Sequence, residues 1–248
     1  MSDLDLQFIG MVFESFIIVI ALILLVLVYL KYTEKKHRLT LTLFMIFLNY
    51  TIAIIFSWLS KVLMLYSGIN YLSNDSLDPH TVDSWFLYRI VDFRISFVFL
   101  IIAIFLSYIL KVKVFEKGYN KALKITVMIY TVFILIYTIV IYQPGNDLLD
   151  VFAFLFIFIY MAAIYFPFFI RAFQSYRASE NETFKNAFLS LALMCLAFIL
   201  ILLCFLFDRI LIQLGGPGYS VFYFLAWIFA ILGMLGAYYG YIRPKSTT

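Results

Sequence analysis

The residues best suited to chemistry are ionic side chains that interrupt long apolar stretches. The segment 85–96, WFLYRIVDFRIS, places two arginines and an aspartate directly before an apolar run. A charged side chain within a membrane span costs several kcal/mol unless it faces protein, water or an opposite charge. Such residues can bind a polar ligand or join helices through salt bridges. The candidate ligand-binding residues are Glu14, Lys61, Arg89, Asp92, Arg94 and Asp208.

The composition shows what kind of element must position these side chains. Hydrophobic residues make up 65% of the 248 residues and charged residues only 13%, against about half and about a quarter in soluble domains. The apolar runs are continuous rather than alternating, which favours helices over a β-barrel. The sequence therefore predicts an all-α membrane protein with a single domain over residues 1–248.

Seven apolar runs are each long enough to cross a hydrocarbon core of about 30 Å. We predict a seven-transmembrane-helix bundle from these runs. The predicted helices are Phe8–Leu30, Leu39–Tyr66, Trp85–Leu110, Ile125–Tyr142, Leu148–Ile170, Ala187–Ile212 and Tyr219–Ile242.

The basic residues predict the orientation of the bundle. Of 18 Lys and Arg residues, four lie in the first connection, five in the third, three in the fifth and two in the tail. Positively charged connections stay on the cytoplasmic side. We therefore expect a multi-pass protein of the cell membrane with its N-terminus outside and its C-terminus in the cytoplasm. The basic inner face would attract anionic lipids of the bilayer or an acidic partner.

Counting residues along each helix places the ionic side chains at a common depth. Glu14 lies 17 residues from Lys31, and Arg94 lies 17 residues from Lys111. At 1.5 Å per residue, both lie about 25 Å from the inner boundary. The same count puts the other candidates at or just beyond the outer interface. The predicted site therefore lies in the outer half of the bundle.

Two contacts within this site are also predicted. Glu14 and Arg94 have opposite charges at one depth, so we expect both to face the bundle interior and to pair with each other. The spacing i, i+3, i+7 of Arg89, Asp92 and Ser96 puts them on one face of a continuous third helix.

The cluster allows three interpretations. The ionic side chains could form interhelical salt bridges alone, a cavity for an anionic or zwitterionic small ligand, or part of an ion pathway. The ligand interpretation rests on a surplus of positive charge at this depth, where four basic residues lie with three acidic ones. Against a pathway, the inner halves contain little beyond Asn49 and hydroxyl groups. We predict no catalytic residue, metal, cofactor or nucleic-acid partner.

The last predicted helix has small residues at helical spacing. Gly236 and Gly240, like Gly233 and Ala237, are four residues apart, which lets two helices approach closely. Packing within the chain is one interpretation and a dimer contact is the other.

Two segments near the C-terminus carry a family resemblance. The basic connection RAFQSYRASENETFK (171–185) and the ending GAYYGYIRP (236–244) resemble the seven-helix N-terminal sensor regions of prokaryotic and archaeal histidine kinases. The resemblance implies a sensor. Because the sequence stops six residues after the last predicted helix, without a kinase domain, it also implies a separate cytoplasmic signalling partner. The predicted function is thus a receptor or sensor-like membrane protein, with a small-solute or ion transporter and a non-catalytic membrane scaffold as alternatives.

Overall fold

The computed structural model describes residues 3–67, 81–116, 118, 120–143, 146–216 and 218–241. Eight helices form, and seven of those described are long and apolar enough to cross a membrane. This confirms the all-helical, multi-pass membrane architecture. The helices are α1 (Asp3–Lys35), α2 (Arg38–Tyr66), α3 (Val82–Val91), α4 (Arg94–Phe115), α5 (Lys121–Val140), α6 (Asp147–Ala178), α7 (Glu182–Gln213) and α8 (Val221–Tyr241).

The predicted third helix is divided in two, which corrects the sequence analysis. Instead of one helix over Trp85–Leu110, the ten-residue α3 ends at Val91 and the membrane span α4 begins at Arg94. Phe93 between them has a φ of 61°, in the left-handed region. Bulky residues rarely adopt this conformation. Neither Gly nor Pro marks the break, so the local sequence carries no signal for it.

Polar side chains define where several helices begin. Thr81 accepts a hydrogen bond from the Ser84 backbone N–H at the start of α3. Asn120, Asn146 and Asn181 cap α5, α6 and α7 in the same way. Such caps satisfy backbone N–H groups that have no partner within the helix. With Asn181 as its cap, α7 begins at Glu182 rather than at the predicted Ala187, and α6 continues past the predicted Ile170 to Ala178.

The seven spans form a closed bundle. Each packs on the next along the chain: α1 on α2, α2 on α4, α4 on α5, α5 on α6, α6 on α7 and α7 on α8, while α1 also packs on α8. The span α4 additionally packs on α6 and the short α3. We call the end of the bundle that contains Arg94 the Arg94 end, and the opposite end of α4 the Lys111 end.

The glycines of α8 pack inside the chain. A Cβ atom on Gly236 would lie 2.9 Å from the Ser190 carbonyl oxygen, and one on Gly240 would lie 2.5 Å from a Leu191 methyl carbon. Both contacts are with α7. The intramolecular interpretation of the small-residue pattern is therefore confirmed for these two positions.

Candidate functional site

A fully buried ion pair joins α1 and α2 at the Arg94 end. The Lys61 Nζ atom lies 2.9 Å from Glu14 Oε1, and neither side chain is exposed. The hydroxyl groups of Ser57 and Tyr223 donate hydrogen bonds to the same oxygen, at 2.9 and 2.6 Å. Among the described residues, none donates a hydrogen bond to the second oxygen, Glu14 Oε2. One carboxylate therefore connects α1, α2 and α8.

Aromatic rings surround the ammonium group of Lys61. Its Nζ atom lies 4.8 Å from the ring centroid of Phe93, 5.3 Å from that of Tyr223 and 5.6 Å from that of Tyr219. These distances allow cation–π attraction, which is stronger away from water. The left-handed Phe93 is thus held against the Glu14–Lys61 pair.

A second, partly buried ion pair joins α4 and α6. Arg94 Nη2 lies 2.5 Å from Asp150 Oδ1, and the Arg94 side chain is 1% exposed. In the described part of the chain, Arg94 Nε and Nη1 have no hydrogen-bond acceptor. The interior position predicted for Glu14 and Arg94 is confirmed. Their predicted contact is wrong, because each pairs with a residue on a different helix.

Asp92 and Arg89 contact the end of α5. The Tyr142 hydroxyl donates a hydrogen bond to Asp92 Oδ2 at 2.5 Å. The Arg89 guanidinium lies over the Trp85 ring at 3.9 Å, and its Nε atom donates to the Ile139 carbonyl oxygen at 3.0 Å. These side chains lie beyond the spans, at the joint between α3 and α4.

Burial raises the pKa of Asp92 to about 6. The nearby carboxylate of Asp150 also raises this pKa, while the Tyr142 hydrogen bond and the two guanidinium groups of Arg94 and Arg209 lower it. The pKa of Tyr142 is raised as well, first by burial and then by the Asp92 charge.

Ser96 does not share the face of Arg89 and Asp92. Its hydroxyl donates a hydrogen bond of 2.7 Å to the Ala53 carbonyl oxygen on α2, whereas the other two contact α5 and the residue shortly after it. The left-handed Phe93 changes the direction of the chain between them. The shared-face prediction is wrong because it assumed an unbroken helix.

Asp208 has a local structural role. Its Oδ1 atom accepts hydrogen bonds from the Ser220 backbone N–H at 2.8 Å and from the Ser220 hydroxyl at 2.6 Å. Ser220 directly precedes α8, so Asp208 holds the connection between α7 and α8. Asp208 forms no salt bridge with any described residue.

Arg209 lies at the same end, near Asp92 and over two aromatic rings. Its guanidinium carbon is 5.0 Å from the Phe93 ring centroid and 5.3 Å from that of Phe154. Within the described ranges, Arg209 has no hydrogen bond and no ion pair. Phe93 is therefore contacted by both Lys61 and Arg209.

The sequence analysis missed Asp150 and Tyr142. With Asp150, the four basic residues face four acidic ones, so the predicted surplus of positive charge does not exist. The signal for Asp150 was available, since it is the third residue of the predicted span Leu148–Ile170. An acid in the first turn of a helix is common for electrostatic reasons, which made it inconspicuous. Tyr142 is one of many aromatic residues and carries no distinguishing signal.

A hydroxyl network lies nearer the Lys111 end. The buried Tyr165 hydroxyl donates to Ser107 Oγ at 2.7 Å and lies 3.1 Å from the Tyr50 hydroxyl. Lys111 pairs with Glu116 at 3.0 Å. No group of three or more His, Cys, Asp or Glu residues that could hold a metal occurs among the residues described.

The arrangement at the Arg94 end can bind a polar group. The Arg94 end combines one fully buried and one partly buried ion pair, a strained backbone position and guanidinium donors that have no acceptor among the described residues. Buried donors without a partner are rare in folded proteins and mark places where water or a ligand binds. Comparisons with family models, curated proteins and solved structures found no match for this chain.

Proposed function

We propose that the chain is a receptor or sensor-like membrane protein whose polar site lies at the Arg94 end. The distribution of basic residues in the connections favours an external position for this end and a cytoplasmic position for the Lys111 end. A ligand would bind from outside, and the packing of the inner helix ends would change in response. A separate cytoplasmic partner would read that change.

The observation that carries this proposal is the environment of Arg94. The side chain is 1% exposed, yet Nε and Nη1 have no acceptor among the described residues. Directly before it, Phe93 has a left-handed φ of 61°. Strained backbone positions cluster at binding and switch regions, where the surrounding structure maintains them. A ligand that accepted hydrogen bonds from Arg94 would act directly on the joint between α3 and α4.

A single rigid element connects the joint to the other end of the bundle. The 22 residues of α4 span about 33 Å. At the far end, the Phe115 ring contacts Phe168 of α6 and Phe188 of α7, with centroid distances of 5.5 and 6.1 Å. A shift of α4 would therefore change its packing on α6 and α7. A ligand shifts this equilibrium only if it binds the two packings with different affinities.

The test measures movement at the Lys111 end. Spin labels at positions 113 and 177, which are both exposed, report the α4–α6 distance in lipid nanodiscs. Glutamate, taurine and sodium phosphate are screened by thermal shift, and those that stabilise the protein are then added to the labelled protein. We expect a changed distance distribution that Arg94→Gln abolishes. The matched control is Arg171→Gln, which removes an exposed arginine of α6 and should leave the change intact.

Other outcomes favour the alternatives. Uptake of the stabilising solute into proteoliposomes would support a transporter and overturn the sensor proposal. A scaffold is favoured by one observation, that Glu14, Arg94 and Asp208 already have partners within the chain. If Arg94→Gln lowers stability while no solute changes the label distance in the parent protein, the scaffold interpretation replaces ours.

A further inference from the structure

We infer that Arg94 and Arg209 form a binding site for a small oxyanion, a carboxylate or a phosphate, at the start of α4. The inference rests on the proposed function, since it names the ligand class of the same site. It depends on which charges are paired rather than on how many there are.

Four acids at the Arg94 end each have a donor among the described residues. Glu14 binds Lys61, Asp150 binds Arg94, Asp92 binds the Tyr142 hydroxyl and Asp208 binds Ser220. The basic residues differ in how many hydrogen-bond partners they have. Arg209 has neither a hydrogen bond nor an ion pair in the described part of the chain. Among these residues, the buried donors without an acceptor in the described part of the chain are Nε and Nη1 of Arg94, and the buried acceptor without a donor is Oε2 of Glu14.

Arg94 provides the buried half of the site. A guanidinium group has five N–H donors and no acceptor. Only the Nη2 atom of Arg94 has a described acceptor, Asp150, which leaves Nε and Nη1 without one. Water can satisfy these donors, and an oxyanion can do so with the stronger hydrogen bonds of two charged groups.

Arg209 provides the second half of the site, and two residues of α6 contact the two arginines. Asp150, which holds Arg94, and Phe154, whose ring lies 5.3 Å from the Arg209 guanidinium carbon, are four residues apart on α6. Residues at this spacing lie on one face of a helix. Phe93, the other ring under Arg209, directly precedes Arg94. Both guanidinium groups, on α4 and α7, also lie near Asp92, since each lowers the pKa of that carboxyl.

The beginning of α4 adds to the preference for an anion. Phe93 occupies the capping position and makes no side-chain hydrogen bond to the first turn. An uncapped helix N-terminus carries a partial positive charge and free N–H groups, which favour anions. Arginine matches the planar geometry of carboxylates and phosphates better than lysine does. The burial of Arg94 favours a compact ligand.

The experiment uses the purified full chain in a neutral detergent with a constant chloride background. Binding of sodium phosphate and of sodium acetate is measured by calorimetry, and thermal shift gives a second readout. Arg209→Gln is the main variant, because this residue forms no ion pair with any described residue, so the substitution breaks none that is needed for folding. We expect one of the two anions to bind the parent protein. We expect Arg209→Gln to weaken that binding about tenfold or more, as for one lost charge-assisted hydrogen bond.

A second arm distinguishes a free anion from a lipid headgroup. The protein is placed in phosphatidylcholine nanodiscs with and without phosphatidylglycerol. A stabilisation by phosphatidylglycerol that Arg209→Gln removes identifies the phosphate of a headgroup as the source. Arg171→Gln should behave like the parent protein in both arms.

The inference is overturned if neither anion nor phosphatidylglycerol binds, or if Arg209→Gln binds as well as the parent protein. Arg94→Lys separates geometry from charge, since it keeps the charge and should still lose affinity. Binding that produces no distance change at the Lys111 end would retain the oxyanion site and overturn the sensor proposal. A distance change that Arg209→Gln leaves intact would overturn the oxyanion site and retain the sensor proposal.

Discussion

Removing Lys61 should destabilise the bundle far more than removing a lysine from a shorter, exposed ion pair. In the Lys61→Ala variant, Glu14 keeps its hydrogen bonds from Ser57 and Tyr223 but loses its only basic partner among the described residues. The carboxylate then remains fully buried with an uncompensated charge. Lys31, which lies 2.5 Å from Glu34, is the matched control because those side chains are 33% and 58% exposed.

The expected magnitudes differ because of burial. Breaking a buried pair by removing one partner costs about 3–5 kcal/mol. The two remaining hydroxyl donors stabilise the Glu14 carboxylate, so we expect the lower end of that range, about 3 kcal/mol, for Lys61→Ala. Exposed pairs contribute about 0–1 kcal/mol, so Lys31→Ala should have almost no effect despite its shorter distance.

The free energy of unfolding is measured by circular dichroism against increasing denaturant, with linear extrapolation. A double variant, Glu14→Gln with Lys61→Met, should recover part of the loss because it removes the unpaired charge. If Lys61→Ala is no more harmful than Lys31→Ala, water reaches Glu14 and the buried-pair reasoning is refuted.

Three further predictions concern other parts of the bundle. Gly236→Ala should lower the free energy of unfolding by about 1–3 kcal/mol through overpacking. Gly118→Ala is the control and should leave the melting temperature unchanged, because no atom lies within 4 Å of the new Cβ. Equal changes in melting temperature for the two variants would contradict the packing of Gly236 on α7. Tyr165→Phe should cost about 1–3 kcal/mol, because it leaves buried hydroxyl partners unsatisfied, and unaltered chemical unfolding would argue against the network. The raised pKa of Asp92, about 6 against an ordinary 3.8, should add stability that is present below about pH 4 and is lost as the pH rises through 6. Melting temperatures between pH 4 and 8 should show this decline, and Asp92→Asn should lack it.

The sequence by itself determined the number and type of the membrane spans. A hydrocarbon environment requires long, continuous apolar helices, so hydropathy alone located all seven. It also determined that Glu14 and Arg94 face the bundle interior, because a charged side chain that faces the lipid costs several kcal/mol. The family resemblance and the orientation remain predictions.

Only the tertiary structure decided which side chains meet. Counting residues along a helix gives depth, but it does not give the direction that a side chain faces or the helix opposite to it. For that reason Glu14 pairs with Lys61 rather than with Arg94, and Asp150 becomes the partner of Arg94. The break at Phe93 was equally hidden, because contacts from α2 and α7 hold its ring and no local residue signals the turn. Pairing depends on how separate helices pack, and the sequence of each helix does not contain that information.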